Sequence, residues 1–238
     1  MASTPAEALP RAGFWARYAA WSLDAACLSP LLVLLCGSRI GYALADARAA
    51  LLAITTELPR LLGDALGSLQ APTAMARQVL ADPSMAAAAE RLQSALASIV
   101  YTPVLVYAVL ALLWAVLFEQ SPWQATPGKR ALGVVVVDTQ GRRLNAGHAL
   151  LRHLAAGLSW LTLNIGHALA ALPPDHLALH DRVSDTRVLR RTGSDRLPLW
   201  AKSWLVAQLL AMVVATAWGF LWLQAAMQAA MQQALGPY

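Results

Sequence analysis

The sequence predicts a mainly α-helical, polytopic membrane protein: three transmembrane helices, a fourth segment that either re-enters or spans the bilayer, and a small cytoplasmic β-hairpin. Three observations predict this class. Of the 238 residues, 58% are hydrophobic and only 13% charged, where an ordinary soluble domain carries about 25% charged residues. Three stretches reach the ~20 mainly apolar residues that a span requires. The net charge of +5, from 18 basic and 13 acidic side chains, gathers beside those stretches, which fits the cytoplasmic ends of membrane helices better than a nucleic-acid surface.

Residues 1–36 are the N-terminus and first span. The opening MASTPAEALP lacks the basic start and short apolar run of a cleaved signal peptide, so no processing is expected. Ala19 to Cys36 forms the span. Cys27 and Cys36 are nine residues apart on it, about 13 Å along a helix, too far to pair within one chain.

Residues 37–97 read as an external helical linker or cap. Leu44, Ala47, Leu51, Ile54, Leu58 and Leu61 recur at spacings of three and four, the stripe of an amphipathic helix, which Pro59 is expected to interrupt. Further on, Asp82 supplies a helix cap and Pro83 the first helical position of a helix running into the second span, 98–118.

Residues 119–153 form a cytoplasmic section. The β-branched run Val134 to Val137, followed by DTQG and a short return strand, predicts a β-hairpin. Residues 154–172 are apolar but carry Gly157, Asn164, Gly166 and His167, which leaves a re-entrant and a spanning path open. Residues 173–202 are a basic cytoplasmic section with a His-Asp motif. The last span and the C-terminus occupy 203–238, with Trp200 and Trp204 at one end of the span and Trp218 and Trp222 towards the other, where indoles prefer the interface.

Between Glu119 and Lys202 lie 11 of the 18 basic residues, five before the 154–172 segment and six after it. Positive charge favours the cytoplasmic side. A re-entrant segment keeps both clusters inside, with an internal N-terminus and an external C-terminus; a four-span path would return the C-terminus inside.

Asp24 is the residue in the first span that needs explaining, since an ionised carboxylate at mid-bilayer costs about 2.5–3.5 kcal/mol even on lenient insertion scales. Arg17, seven residues earlier, shares its helical face but stands ~10 Å away along the axis, too far for a direct pair. Asp24 therefore needs a donor from another segment, a proton, a cation or water. His176 and His180 would share a helical face beside Asp175 and Asp181, but Pro173 and Pro174 precede them and no third ligand is suitably spaced, so no metal is assigned. The arginines at 182, 187, 190, 191 and 196 suit anionic lipid headgroups. Lys129 follows a glycine, yet Arg130 comes next and the earlier glycine of a phosphate loop is missing. No pairing of nucleophile and base stands out, and neither an enzyme nor a cofactor is expected.

Three stretches taken together, GFWARYAAWSLDA, TPGKRALGVVVVDTQGRRLNAGHALLRHL and LALHDRVSDTRVLRR, resemble the RDD family of bacterial membrane proteins. The resemblance places that family's one Arg and two Asp on Arg17, Asp24 and Asp181. It puts accompanying motif positions on Thr126, Pro127, Gly128, Lys129, Gly141, Arg152, His180 and Thr186. It covers residues 11 to 36 and 99 to 191, and two departures stand out: a long linker after the first span, and no basic residues before the His-Asp pair. It implies a multi-pass protein of the bacterial inner membrane whose Arg17, Asp24 and Asp181 make a polar centre, with movement of a small ion or solute as the suggested activity. The alternative is a non-transporting scaffold or accessory subunit. Expected partners are a bilayer with anionic lipids and a second copy or another membrane protein, with no nucleic acid.

Overall fold

The computed structural model describes residues 9–68, 71–191 and 196–235. Residues 1–8 and Tyr238, at the two ends whose side of the membrane the sequence reading assigns, lie outside them. Eight α-helices and two short strands follow in order among the described residues: α1 (Phe14–Gly67), α2 (Pro72–Ala81), α3 (Pro83–Glu119), α4 (Pro127–Ala131), β1 (Val134–Asp138), α5 (Ala146–Leu161), α6 (Ile165–Ala168), α7 (Leu179–Val183), β2 (Thr186–Arg190) and α8 (Leu199–Leu235).

Three helices are long and apolar enough to cross a membrane: α1, α3 and α8 up to Ala225, with mean hydropathy of 1.8, 2.2 and 1.8 in their most apolar stretches. Within that stretch α8 buries none of its residues against the rest of the chain and α3 only 6%. Apolar surface on that scale is stable only in lipid or against another protein. The expected fourth segment is a bent pair: α5 ends, and α6 with the 3₁₀ turn Leu169–Ala171 leaves at 115°. Leu163 and Asn164 make the corner with φ of 50° and 64°.

Contacts divide the chain into two compact units. One runs up to Leu31 and again from Tyr107 to Leu210; the other takes Leu32–Val106 and the chain from Ala211 onward. In the second unit, two expectations change. Pro59 does not interrupt α1, which continues to Gly67, so its 54 residues far exceed the ~20 that a span requires. The buried face of this part of α1 also differs from the expected leucine stripe. Ala47 and Leu61 of that stripe are buried, but Leu44 and Leu51 are exposed, and Cys36, Ala43, Ala50 and Ala65 make up the rest of the buried face. The start of α3 is as expected: Asp82 accepts from the backbone N–H of Ser84 (2.9 Å) and Met85 (3.1 Å).

In the first unit, β1 and β2 pair antiparallel, Val134 opposite Arg190 and Asp138 opposite Thr186. The small sheet is present, but its second strand is not the expected local return strand. DTQG does turn, with Gly141 at φ 77° and Asp138 accepting from the N–H of Gln140 and Arg142, yet the chain then enters α5 and β1 waits for β2. Residues 10–12 lie along the outer edge of β2: Ala12 donates to Val188 (2.9 Å) and Arg190 to Pro10 (2.8 Å). The valine run is explained by burial on both faces. Val134 and Val136 pack with Ala12, Ala16, Ala19, Ala20 and Leu132, while Val135 and Val137 pack with Ala125 and Leu189. The start of α8 is tied to α1 through Ser22, whose Oγ accepts from Trp204 Nε1 (3.0 Å) and Gln208 Nε2 (3.1 Å).

Candidate functional site

Two polar clusters occupy the first unit, and the three predicted centre residues are shared between them. Arg17 and Asp181 meet directly, whereas Asp24 belongs to a different set of bonds.

Asp24 is 8% exposed and its carboxylate accepts three hydrogen bonds. Trp114 Nε1 donates to Oδ1 (3.0 Å), the backbone N–H of Gly128 donates to Oδ1 (2.8 Å), and Thr126 Oγ1 donates to Oδ2 (2.5 Å). Its neutralising partner is thus a packed set of donors, and the TPGK motif is the local device that presents them. Thr126 caps α4 by accepting from the N–H of Lys129 (3.4 Å), which leaves its proton for Asp24. Pro127 takes the first helical position. Gly128 must lack a side chain, because a Cβ there would stand 2.2 Å from the carbonyl oxygen of Ala20. Lys129 carries its ammonium to Glu119.

The second cluster is a chain of buried charges. Lys129 pairs with one oxygen of Glu119, and Arg152 Nε lies 3.4 Å from the other. Arg152 also donates from Nη1 to Asp181 Oδ1 and to Thr186 Oγ1, the latter at 2.5 Å. Asp181 Oδ2 accepts from Arg17 Nη1 (2.5 Å) and from the N–H of Ala178 (2.9 Å), which caps α7. Arg17 completes its guanidinium contacts on the carbonyls of Ala12 (2.8 Å) and His176 (2.6 Å). Side-chain exposure is 0% at Asp181, 6% at Arg152 and 3% at Glu119, so the pairs act with little screening. Burial alone would raise the Asp181 carboxyl, but Arg152 and Arg17 outweigh it and hold the group well below the usual carboxylate range. Burial, then Arg152, keep the His180 imidazole well below its ordinary value, hence neutral.

Thr186 accepts from Arg152, and its hydroxyl lies 3.0 Å from Ser184 Oγ, which donates to the His180 carbonyl (2.5 Å). That fixes Thr186 as donor to Ser184. His148 Nε2 meets the Ser184 carbonyl, so that nitrogen carries the proton. The supporting residue Gly141 is in the turn after β1, where its N–H donates to the Asp138 carbonyl (3.1 Å).

The shared helical face expected for His176 and His180 is corrected. α7 begins only at Leu179, and His176 has φ 47° with Nδ1 3.0 Å from the Ala170 carbonyl. The arginine run is likewise uneven: Arg182, Arg191 and Arg196 are exposed, Arg187 is half-buried and Arg190 is buried. Sequence reasoning missed Trp114 and Glu119. Glu119 carried a signal, since an acid closing α3 opposes the helix dipole and calls for a cation.

Three helices long and apolar enough to cross a membrane, with a small two-stranded sheet and two buried polar clusters, one closed on Asp24 and one pairing Arg17 and Arg152 with Asp181, define a multi-pass helical membrane protein. The RDD family profile matches residues 11–185, most of the chain, and the protein belongs to the RDD family. The uncharacterised protein YxaI of Bacillus subtilis (strain 168) is similar, with 35% identity over 85 residues, 36% of this chain and 56% of that protein. The chain therefore spans little more than half the length of that curated relative. No solved structure matches.

Asp24→Asn would turn one acceptor oxygen into an N–H facing fixed donors. A loss of about 1–3 kcal/mol is expected, read as a lower thermal midpoint in detergent; an unchanged midpoint would show that the three bonds contribute nothing.

Proposed function

We propose that the protein moves a small ion or solute across the bacterial plasma membrane, using the Asp181 cluster together with His167 and His180. One observation carries this reading. Beside Asp181, the imidazoles of His167 and His180 stand 5.1 Å apart, and the Nδ1 atoms of both, with Ser159 Oγ, are buried without a hydrogen-bond partner among the described residues. Buried polar atoms are normally satisfied, so atoms left open beside a charge cluster suit a passing solute or proton. Gly166 keeps this corner tight, since a Cβ there would press on Ser159 and Leu179. The basic residues between Glu119 and Lys202 favour the cytoplasmic side for this part of the chain. Three spans provide little wall for a pathway, so the reading includes association of copies or with another membrane protein.

The scaffold reading draws on a different observation: Asp24 is closed by fixed donors of its own chain, as a packing lock would be. Flux separates the two. In liposomes loaded with a pH-reporting dye, the wild-type protein should speed proton equilibration after an acid pulse. Ser159→Ala combined with His167→Phe should reduce that rate at least tenfold while the thermal midpoint holds. Unchanged flux in the double variant would exclude this corner as the path, and no flux in the wild type would favour the scaffold.

A further inference from the structure

A cavity of about 510 Å³ lies at the start of α8, lined by Arg190, Arg196, Leu199 and Trp200, with Ala131 at its edge. It belongs to neither polar cluster. Arg190, the last residue of β2, is 2% exposed. Its Nη2 donates to the Arg196 carbonyl (3.2 Å), while its Nε and Nη1 are buried with no hydrogen-bond partner among the described residues. A guanidinium keeps its charge in any protein setting, and a buried cation with open donors calls for an anion.

The helix adds a second, independent source of positive potential. The first intrahelical bonds of α8 run from Ala201 and Lys202 to the Pro198 carbonyl, so the N–H groups of Leu199 and Trp200 precede them and belong to the open N-terminal set. A 37-residue helix presents its positive end there. Its first turn holds no acidic residue, and Lys202 is exposed close by. No acidic side chain is among the described residues lining the cavity.

We infer that this cavity is a binding site for a phosphate-class oxyanion, held by the Arg190 guanidinium and the N-terminal amides of α8. A tetrahedral oxyanion offers several oxygens at once, which donors on different edges of one guanidinium and on a helix end can share. Two sources supply that chemistry, a phospholipid headgroup and free phosphate. The place of the cavity favours the first: α8 is a membrane-spanning candidate from Leu199 onward, so its N-terminus falls at headgroup depth, with Trp200 47% exposed beside it.

The test uses the full chain in nanodiscs of phosphatidylcholine with phosphatidylglycerol, released for native mass spectrometry, alongside titration with inorganic phosphate in lipid-free neutral detergent. The wild type should retain one phospholipid, and Arg190→Gln should lower retention at least tenfold. Ala131→Glu should do the same by placing a carboxylate at the rim; since Ala131 is exposed, this variant decides the matter if Arg190→Gln fails to fold. Retention that both or the folded variant reduce assigns the lipid headgroup. Saturable phosphate binding sensitive to the same changes, without a lipid adduct, assigns free phosphate. Neither ligand bound by the wild type, or binding indifferent to Ala131→Glu, overturns the inference.

Discussion

Asp181→Asn should destabilise the protein by about 3–5 kcal/mol, the range found when one partner of a buried ion pair is removed. The reason is what stays behind. Arg17 and Arg152, with side-chain exposures of 13% and 6%, would keep their charges in a pocket that had lost its shared counter-ion, and one of the two oxygens that accept from Arg17, Arg152 and the N–H of Ala178 would become an N–H facing those donors. The control is Asp175→Asn. Its pair with Arg11, at 2.7 Å, is 55% exposed on the acid side, and such pairs contribute ~0–1 kcal/mol. Thermal unfolding in detergent should separate the two variants clearly; equal midpoints would mean that the Asp181 cluster is dispensable to the fold. The same measurement against pH has a defined sign. An unfolded Asp binds its proton near pH ~4; the folded Asp181 carboxyl sits lower, so its contribution is complete above ~4 and is lost as pH falls towards the folded value. His180 is depressed too: below ~6.5 the unfolded imidazole takes a proton that the folded one refuses. Stability should therefore start to fall below ~6.5, and the further fall below ~4, to which Asp138 also contributes, should be smaller in Asp181→Asn than in the wild type.

Gly128→Ala is the second large effect. The added methyl would lie 2.2 Å from the Ala20 carbonyl oxygen, 2.9 Å from Asp24 Cγ and 3.0 Å from its Oδ1. Backbone on α1 cannot swing aside as a flexible side chain would, so α4 has to lift away. Overpacking costs ~1–3 kcal/mol, and lifting α4 also stretches the Gly128 N–H bond to Asp24, worth ~1.5–3 kcal/mol for a charged acceptor. The two are coupled, so their sum is an upper bound. Gly219→Ala, where a Cβ would meet nothing within 4 Å, should be neutral or slightly stabilising on α8. A Gly128→Ala protein as stable as Gly219→Ala would refute the close approach of α4 to the first span.

The sequence reveals the elements whose causes are local. Apolar length defines the three spans, Asp82 and Pro83 mark the start of α3, and DTQG makes its turn. What it conceals is pairing at a distance. Val134 to Val137 invited a local partner because a turn followed, yet β2 lies some fifty residues on and wins because it buries both faces of β1. The cost of Asp24 in lipid was legible, and so was TPGK as a string. That one satisfies the other was not, since Asp24 and Thr126 are 102 residues apart and no periodicity links them. Arg17, Asp24 and Asp181 read as one centre from the resemblance; in space, Arg17 and Asp181 share a bond while Asp24 faces α4.

The separation of 164 residues between Arg17 and Asp181 also sets an order of manufacture. At about 5–20 residues per second, the ribosome adds Asp181 roughly 8–33 s after it adds Arg17. Asp24 waits less, since Trp114, Thr126 and Gly128 all arrive with the second span and the turn that follows it. The nascent chain thus closes its inner lock first. The edge formed by residues 10–12 stays open until β2 is made, and the newborn chain carries Arg17 without its carboxylate until Asp181 is added.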